Sequence, residues 1–199
     1  MSTNLLSRAG CLVIEDSLPA AYCSQLLKEA DGSGFSAARL VGSDGTERVD
    51  EFYRQTKTAR ISAGSSSKLS DWLLDLKPSI EVHFGVQLIG CEIPQLLVYT
   101  EGDFFAAHRD ITETKQETIK TRKVSVVIFL NEQGDSKSHG KYRGGNLTLY
   151  GIINQPGWEE IGFPIAGKTG LLVAFLSNTL HEVKPITSGT RYTVVSWYF

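Results

Sequence analysis

In the stretch YTEGDFFAAHRDIT, residues 99–112, an imidazole and a carboxylate stand two residues apart, at His108 and Asp110. Successive side chains of an extended chain alternate faces, so the two point the same way if the backbone is a strand there. Two such donors make a clip for a cation, although an H-x-D pair also occurs by chance and as a solvated surface pair. His181 is a candidate third donor. It follows the apolar run LLVAFL within SNTLHEVKPI, where the alternative is a histidine satisfied by backbone hydrogen bonds. Two histidines and one carboxylate form a face that holds ferrous iron and leaves positions open for other ligands. Zinc accepts the same donor types.

Arg191 separates the two metals. It opens RYTVVSWYF, a segment with no other charge. A guanidinium on an apolar strand is either exposed at the strand's end or paired, because an unpaired buried charge is costly. A small dicarboxylate arriving at the metal would pair it through a bidentate, charge-assisted contact. A hairpin through Pro185 and Ser188-Gly189 is expected to carry the chain from His181 back to Arg191.

These residues need elements to position them. LPAAYCSQLLKEA (Leu18 to Ala30) and SSKLSDWLLDLKPSIEVHF (Ser66 to Phe84) carry apolar residues at helical spacing. Asp16 or Ser17 is the expected cap of the first, with Pro19 near its first turn, and Pro78 is expected to kink or divide the second. The Gly- and Asp-rich segment between them should hold short strands and turns. From Ile93 onward the pattern becomes short runs rich in Val, Ile, Leu, Phe and Tyr: PQLLVYT, KVSVVIFLN, GGNLTLYG, TGLLVAFLS, HEVKPI and RYTVVSWYF. Helices followed by many strands predict a mainly β (α+β) chain, a sandwich or barrel with a helical layer behind one sheet.

The ordered elements Tyr99-x-x-Gly102-x-x-Phe105-x-x-His108-x-Asp110, FLN, YRGGNLTLY, FLSNTLHEVKPI and RYTVVSWYF resemble the 2-oxoglutarate and Fe(II)-dependent dioxygenases, in their prolyl 4-hydroxylase-like branch. The resemblance covers roughly Ile93 to Phe199, with a weaker likeness in CLVIEDSLPAAYCSQLLKEA. It implies a double-stranded β-helix, the jelly-roll or cupin-like core, supported by N-terminal helices. One domain over 1–199 is expected, with 1–92 as helical support and 93–199 as the catalytic core.

It further implies that His108, Asp110 and His181 hold Fe(II), that Arg191 binds the distal carboxylate of 2-oxoglutarate, and that O2 is consumed with release of succinate and CO2. Ascorbate is the expected reductant. Related halogenases lack a carboxylate at the position of Asp110, so its presence implies hydroxylation of a C–H bond. Tyr99 resembles a tyrosine that reaches the cosubstrate, and a core aromatic is the other reading. The hypoxia-sensing relatives carry a tyrosine where this chain has Phe129, so Tyr99 and Thr193 become the candidates for that hydrogen bond.

Arg122 and Trp197 resemble residues that face substrate; an exposed cation beside a strand and an inward core tryptophan are the competing readings. Residues 113–122 are a candidate lid. The implied substrate is a prolyl residue of a peptide or protein, with a free amino acid or small metabolite as the alternative. A metal-binding jelly roll without turnover, acting as a sensor or partner-binding module, is the reading from another class.

Bulk properties fit. The chain has 199 residues, 41% hydrophobic and 21% charged, with 20 basic against 22 acidic side chains and a formal charge of -2. That supplies no footprint for a phosphate backbone, so nucleic acid is not expected as a partner. The N-terminal apolar runs are short for a secretory signal and no segment reaches the ~20 apolar residues of a membrane span, so no membrane and a cytoplasmic setting are expected. Cys11, Cys23 and Cys91 lack CxxC spacing and are expected to be reduced and mostly buried. His83 belongs to a helical pattern and His139 to a polar loop.

Overall fold

The run KVSVVIFLN, apolar at most positions rather than alternating, demands burial on both faces. It becomes a strand whose six residues, Val124–Phe129, are all buried. The computed structural model describes residues 10–38, 40–41, 46–48, 52–111, 117–134, 140–153 and 155–199. In chain order its elements are β1 (Cys11–Ile14), α1 (Ala20–Ser33), β2 (Phe35–Ala37), β3 (Leu40–Val41), β4 (Glu47–Arg48), β5 (Arg54–Gln55), β6 (Lys57–Ala59) and α2 (Ala63–Phe84). Then come β7 (Gln95–Tyr99), β8 (Phe104–His108), α3 (Glu117–Lys120), β9 (Val124–Phe129), β10 (Arg143–Gly144), β11 (Leu147–Tyr150), β12 (Gly162–Ile165), β13 (Leu172–Leu176), β14 (His181–Val183), β15 (Ile186–Ser188) and β16 (Arg191–Tyr198).

Two antiparallel sheets carry the architecture. The larger runs β1-β13-β9-β16-β7-β6-β2 and the smaller β12-β11-β14-β8-β5. The chain alternates between them, with β7, β9, β13 and β16 in the larger sheet and β8, β11 and β14 in the smaller. This is the double-stranded β-helix that the resemblance implies. β6 pairs with β7 and β5 with β8, so strands from the first 92 residues extend both sheets.

The larger sheet is buried twice over. Val98, Val124, Val126, Ile128, Val194 and Tyr198 pack into a core with Leu26 of α1 and Leu69, Leu73 and Ile80 of α2. Their strand neighbours Leu97, Tyr99, Val127, Phe129 and Val195 point the other way, into a second core with Leu147, Leu149 and Phe175. Period-two alternation thus divides one sheet between a helical layer and the smaller sheet.

Both helices appear, with changed ends. α1 starts after Pro19, which occupies the N-cap without a side-chain cap bond. Neither expected cap serves there: the Ser17 hydroxyl donates instead to Gly170 O at 2.6 Å, and Asp16 sits at φ 49. α2 begins at Ala63, where Ser62 Oγ accepts from Ser65 N. It continues through Pro78 as one helix, so the proline does not divide it. The expected hairpin from His181 to Arg191 is replaced by a change of sheet: β14 belongs to the smaller sheet, β15 pairs with β10, and β16 lies in the larger sheet. Cys11 and Cys23 are buried and Cys91 half-buried, all three free. No helix among the described residues is long and apolar enough to cross a membrane.

Candidate active site

β8 and β14 are antiparallel neighbours, and their register sets His181 directly opposite His108. The two rings lie 4.2 Å apart between centroids. Asp110 lies two residues past the end of β8; its backbone N–H and that of Ile111 donate to Ser177 O at 2.9 and 3.2 Å, curling the chain toward the β13–β14 connection. Asp110 Oδ1 is 3.6 Å from His108 Nε2 and Oδ2 is 3.5 Å from His181 Nε2. One donor atom from each residue lies within 4.8 Å of the others.

The local bonding suits a divalent cation. His108 Nδ1 is 2.7 Å from Ala106 O and His181 Nδ1 is 2.9 Å from Thr179 O. A carbonyl oxygen can only accept, so both rings carry a proton on Nδ1 and, when neutral, turn an Nε2 lone pair toward Asp110. Burial lowers the His181 pKa to about 4 and favours the neutral imidazole. Burial alone would raise the Asp110 pKa, but attraction to His181 and His108 in their protonated forms, with a hydrogen bond from Ser125, draws it below the usual range. Two neutral imidazoles and one carboxylate are the donor set of a non-haem ferrous site. Phe105 stacks on His108 at 3.5 Å and Phe175 packs on His181 at 4.7 Å, limiting ring rotation.

Across the interior, the larger sheet presents Arg191. It is 1% exposed although charged. Its register partner on β7 is Tyr99. Its guanidinium carbon lies 4.9 Å from the centroid of the Tyr99 ring and 4.9 Å from that of Phe129. Nη1 reaches Thr193 Oγ1 at 3.4 Å, so Thr193 does share its face. His108, Asp110, His181, Arg191, Tyr99 and Thr193 line one cavity of about 830 Å³.

Arg122 and Trp197 line the same cavity. Arg122 is not a solvated flanking cation. Its Nε and Nη2 donate to Glu92 at 2.5 and 2.8 Å, and its guanidinium carbon stands 3.8 Å over the Trp197 ring. Tyr53 and Arg54 of the β5 region also reach the cavity, with Arg54 over the Phe105 ring at 4.5 Å. Nothing in local spacing singles out Glu92, Tyr53 or Arg54, because their partners are distant in sequence. Of the candidate lid, residues 113–116 lie outside the described residues, while Thr118 and Ile119 of α3 line the cavity. His83 is in α2, edge-on to Phe84 and away from the site, and His139 lies outside the described residues.

A sandwich of this topology, with an imidazole-carboxylate-imidazole cluster facing a buried arginine, defines an oxygenase-type scaffold. Residues 94–199 match the model of the 2OG-Fe(II) oxygenase superfamily, and the chain belongs to that family. A PKHD-type hydroxylase of Hyphomonas neptunium is 26% identical over 153 residues, which cover 72% of this chain and 59% of that protein. A PKHD-type hydroxylase of Shewanella oneidensis is 32% identical over 101 residues, covering 50% and 39%. The chain therefore spans less than two thirds of the length of these relatives. Among solved structures, a Pseudomonas putida prolyl-4-hydroxylase superposes with a TM-score of 0.71 at 21% identity, over 95% of this chain and 91% of that one. A prolyl hydroxylase from Trichoplax adhaerens, in complex with a hypoxia inducible factor oxygen degradation domain peptide fragment, gives 0.71 at 23%, over 98% and 86%. At these identities the likeness establishes the fold.

Proposed function

We propose that the chain is an Fe(II)- and 2-oxoglutarate-dependent dioxygenase that hydroxylates an unactivated C–H bond, releasing succinate and CO2, with ascorbate as reductant. The observation that carries this is the meeting of His108, Asp110 and His181 from one sheet with Arg191 from the other in a single cavity. Ferrous iron, when bound, supplies the activation of O2 that no amino-acid side chain provides. His108 and His181 hold it through Nε2 and Asp110 through its carboxylate. Arg191 and Thr193 take the distal carboxylate of the keto acid by charge-assisted and hydroxyl hydrogen bonds. Tyr99 and Phe129 sandwich the guanidinium and keep water from it, which strengthens its hold on an anion.

The substrate is a prolyl residue of a peptide or protein. The fold shared with the P. putida and T. adhaerens prolyl hydroxylases supports this. The Arg122–Glu92 pair, neutral as a unit and laid over Trp197, forms a flat wall suited to a small apolar ring. Arg54 favours a second reading, a free amino acid or small metabolite, because a guanidinium in the cavity wall would hold a substrate carboxylate.

Conversion of 2-oxoglutarate to succinate with iron and ascorbate tests the reaction class. Turnover should occur without substrate at a low rate and vanish in His108→Ala. No succinate under any condition would leave a metal-binding module instead. Candidate peptides and amino acids added anaerobically should then be ranked by how they perturb the metal-to-ligand absorption band.

A further inference from the structure

Two polar atoms beside the cavity have no hydrogen-bond partner although both are sealed from solvent: the phenol oxygen of Tyr142 and Nε of Arg191. Tyr142 is 0% exposed. Buried polar groups are paired almost without exception, so two orphans in one neighbourhood require a reason.

They are neighbours by construction. A Cβ placed on Gly145 would lie 3.1 Å from Arg191 Cδ and 3.4 Å from Tyr142 Cε2, so the arginine stem and the tyrosine ring flank the same bare glycine. At the far end of the ring, a Cβ on Gly167 would overlap the Tyr142 hydroxyl and come 2.6 Å from Phe129 Cδ1. The phenol therefore passes over a second bare glycine to reach the ring on which the guanidinium stacks. Burial pushes the phenol's pKa up, and the charge of Arg191 acts against that rise. The guanidinium is close enough to lower the phenol's pKa by hydrogen bonding as well as by charge, yet the pair falls short of a well-aligned bond, and the one aligned hydrogen bond of the Arg191 side chain among the described residues is the long one to Thr193.

We propose that Tyr142 is the positioning residue of the carboxylate clamp: its oxygen accepts from the Nε–H of Arg191 and fixes the guanidinium plane, so that both terminal nitrogens face a dicarboxylate. This rests on the reading of Arg191 as the cosubstrate's anchor. It also accounts for Phe129, which stacks on the guanidinium but has no hydroxyl to orient it. A buried phenol held short of a well-aligned partner is a stability cost that a purely structural tyrosine would not keep, and a binding site commonly does keep such costs.

The test is calorimetry on Fe(II)-loaded protein without oxygen, with 2-oxoglutarate and with 2-oxopentanoate, the same keto acid lacking the distal carboxylate. Tyr142→Phe should bind 2-oxoglutarate about tenfold more weakly, the scale of one hydrogen bond to a charged group. It should bind 2-oxopentanoate as the wild type does. Adding Tyr142→Phe to Arg191→Ala should cost nothing further, since the tyrosine acts through the arginine. Unchanged 2-oxoglutarate affinity in Tyr142→Phe, with a loss in Arg191→Ala, overturns the pairing and leaves the clamp standing. No loss in Arg191→Ala overturns the clamp and the pairing with it. Equal losses for both keto acids mark general damage to the site and also overturn the assignment.

Discussion

The two sheets differ in what covers them and in what they contribute. The larger is packed on one face against α1 and α2 and on the other against the smaller sheet, and it contributes the buried arginine. The smaller has one face in the shared interior and contributes the candidate cation donors, from β8, from β14 and from Asp110 just beyond β8. A guanidinium 1% exposed needs surroundings that cannot yield. Metal donors need only local register and two carbonyls to hold their rings. The side packed on both faces thus bears the charge that is hard to bury, and the side nearer the loops bears the proposed cation site.

Substitutions on either side should separate these roles. The largest effect belongs to Asp110→Ala, which removes the one anionic donor: turnover and iron retention after dialysis should fall by about a thousandfold or more, with a circular dichroism spectrum like the wild type's. Next, Ile128→Ala, on the helix-facing side of β9, should cost about 2–5 kcal/mol in urea unfolding while leaving 2-oxoglutarate affinity unchanged. If affinity collapsed with it, the two faces of the larger sheet would not be independent. Arg191→Ala should weaken 2-oxoglutarate by about a hundredfold with iron still bound, and an unchanged titration would remove the arginine from the clamp.

The smallest effect concerns the helical backing. Glu29 of α1 accepts from Ser62 N and the Ser65 hydroxyl at the start of α2, both at 2.8 Å. Hydrogen bonds from Gln25 and Ser62 lower its pKa to about 2. A depressed carboxyl adds stability that is complete above its ordinary value near 4.5 and is lost as pH falls toward 2. The melting-temperature gap between wild type and Glu29→Gln should be constant above pH 4.5 and close below it. A gap that persisted at pH 2 would show that the carboxylate's charge is not what joins the helices.

What the sequence revealed follows the same division. Val124–Phe129 and Arg191–Tyr198 are legible because strands buried on both faces are mostly apolar without strict alternation. β12 was missed because it reads GFPI, and its proline is tolerated only since β12 is the edge of the smaller sheet. The change of sheet between His181 and Arg191 looks like a hairpin in sequence, since Pro185 and Gly189 punctuate both arrangements equally. His108, Asp110, His181 and Arg191 were recognisable as an ordered pattern. The Glu92–Arg122 pair and the Tyr142–Arg191 neighbourhood were not, because only the folded chain brings those residues together. Likewise the cap of α1 was misplaced: the Ser17 hydroxyl serves Gly170, 153 residues away.

Because the candidate cation donors and the arginine stand on opposite sheets, the gap between them is set by Leu147, Leu149, Phe175 and their neighbours, apolar side chains that can neither donate to a cation nor pair with a carboxylate. The molecule works as a bench vice whose spindle is hydrocarbon. Slackening at that spindle would let a five-carbon chelator rattle while every jaw residue remained intact, so loss of grip need not point to a damaged jaw.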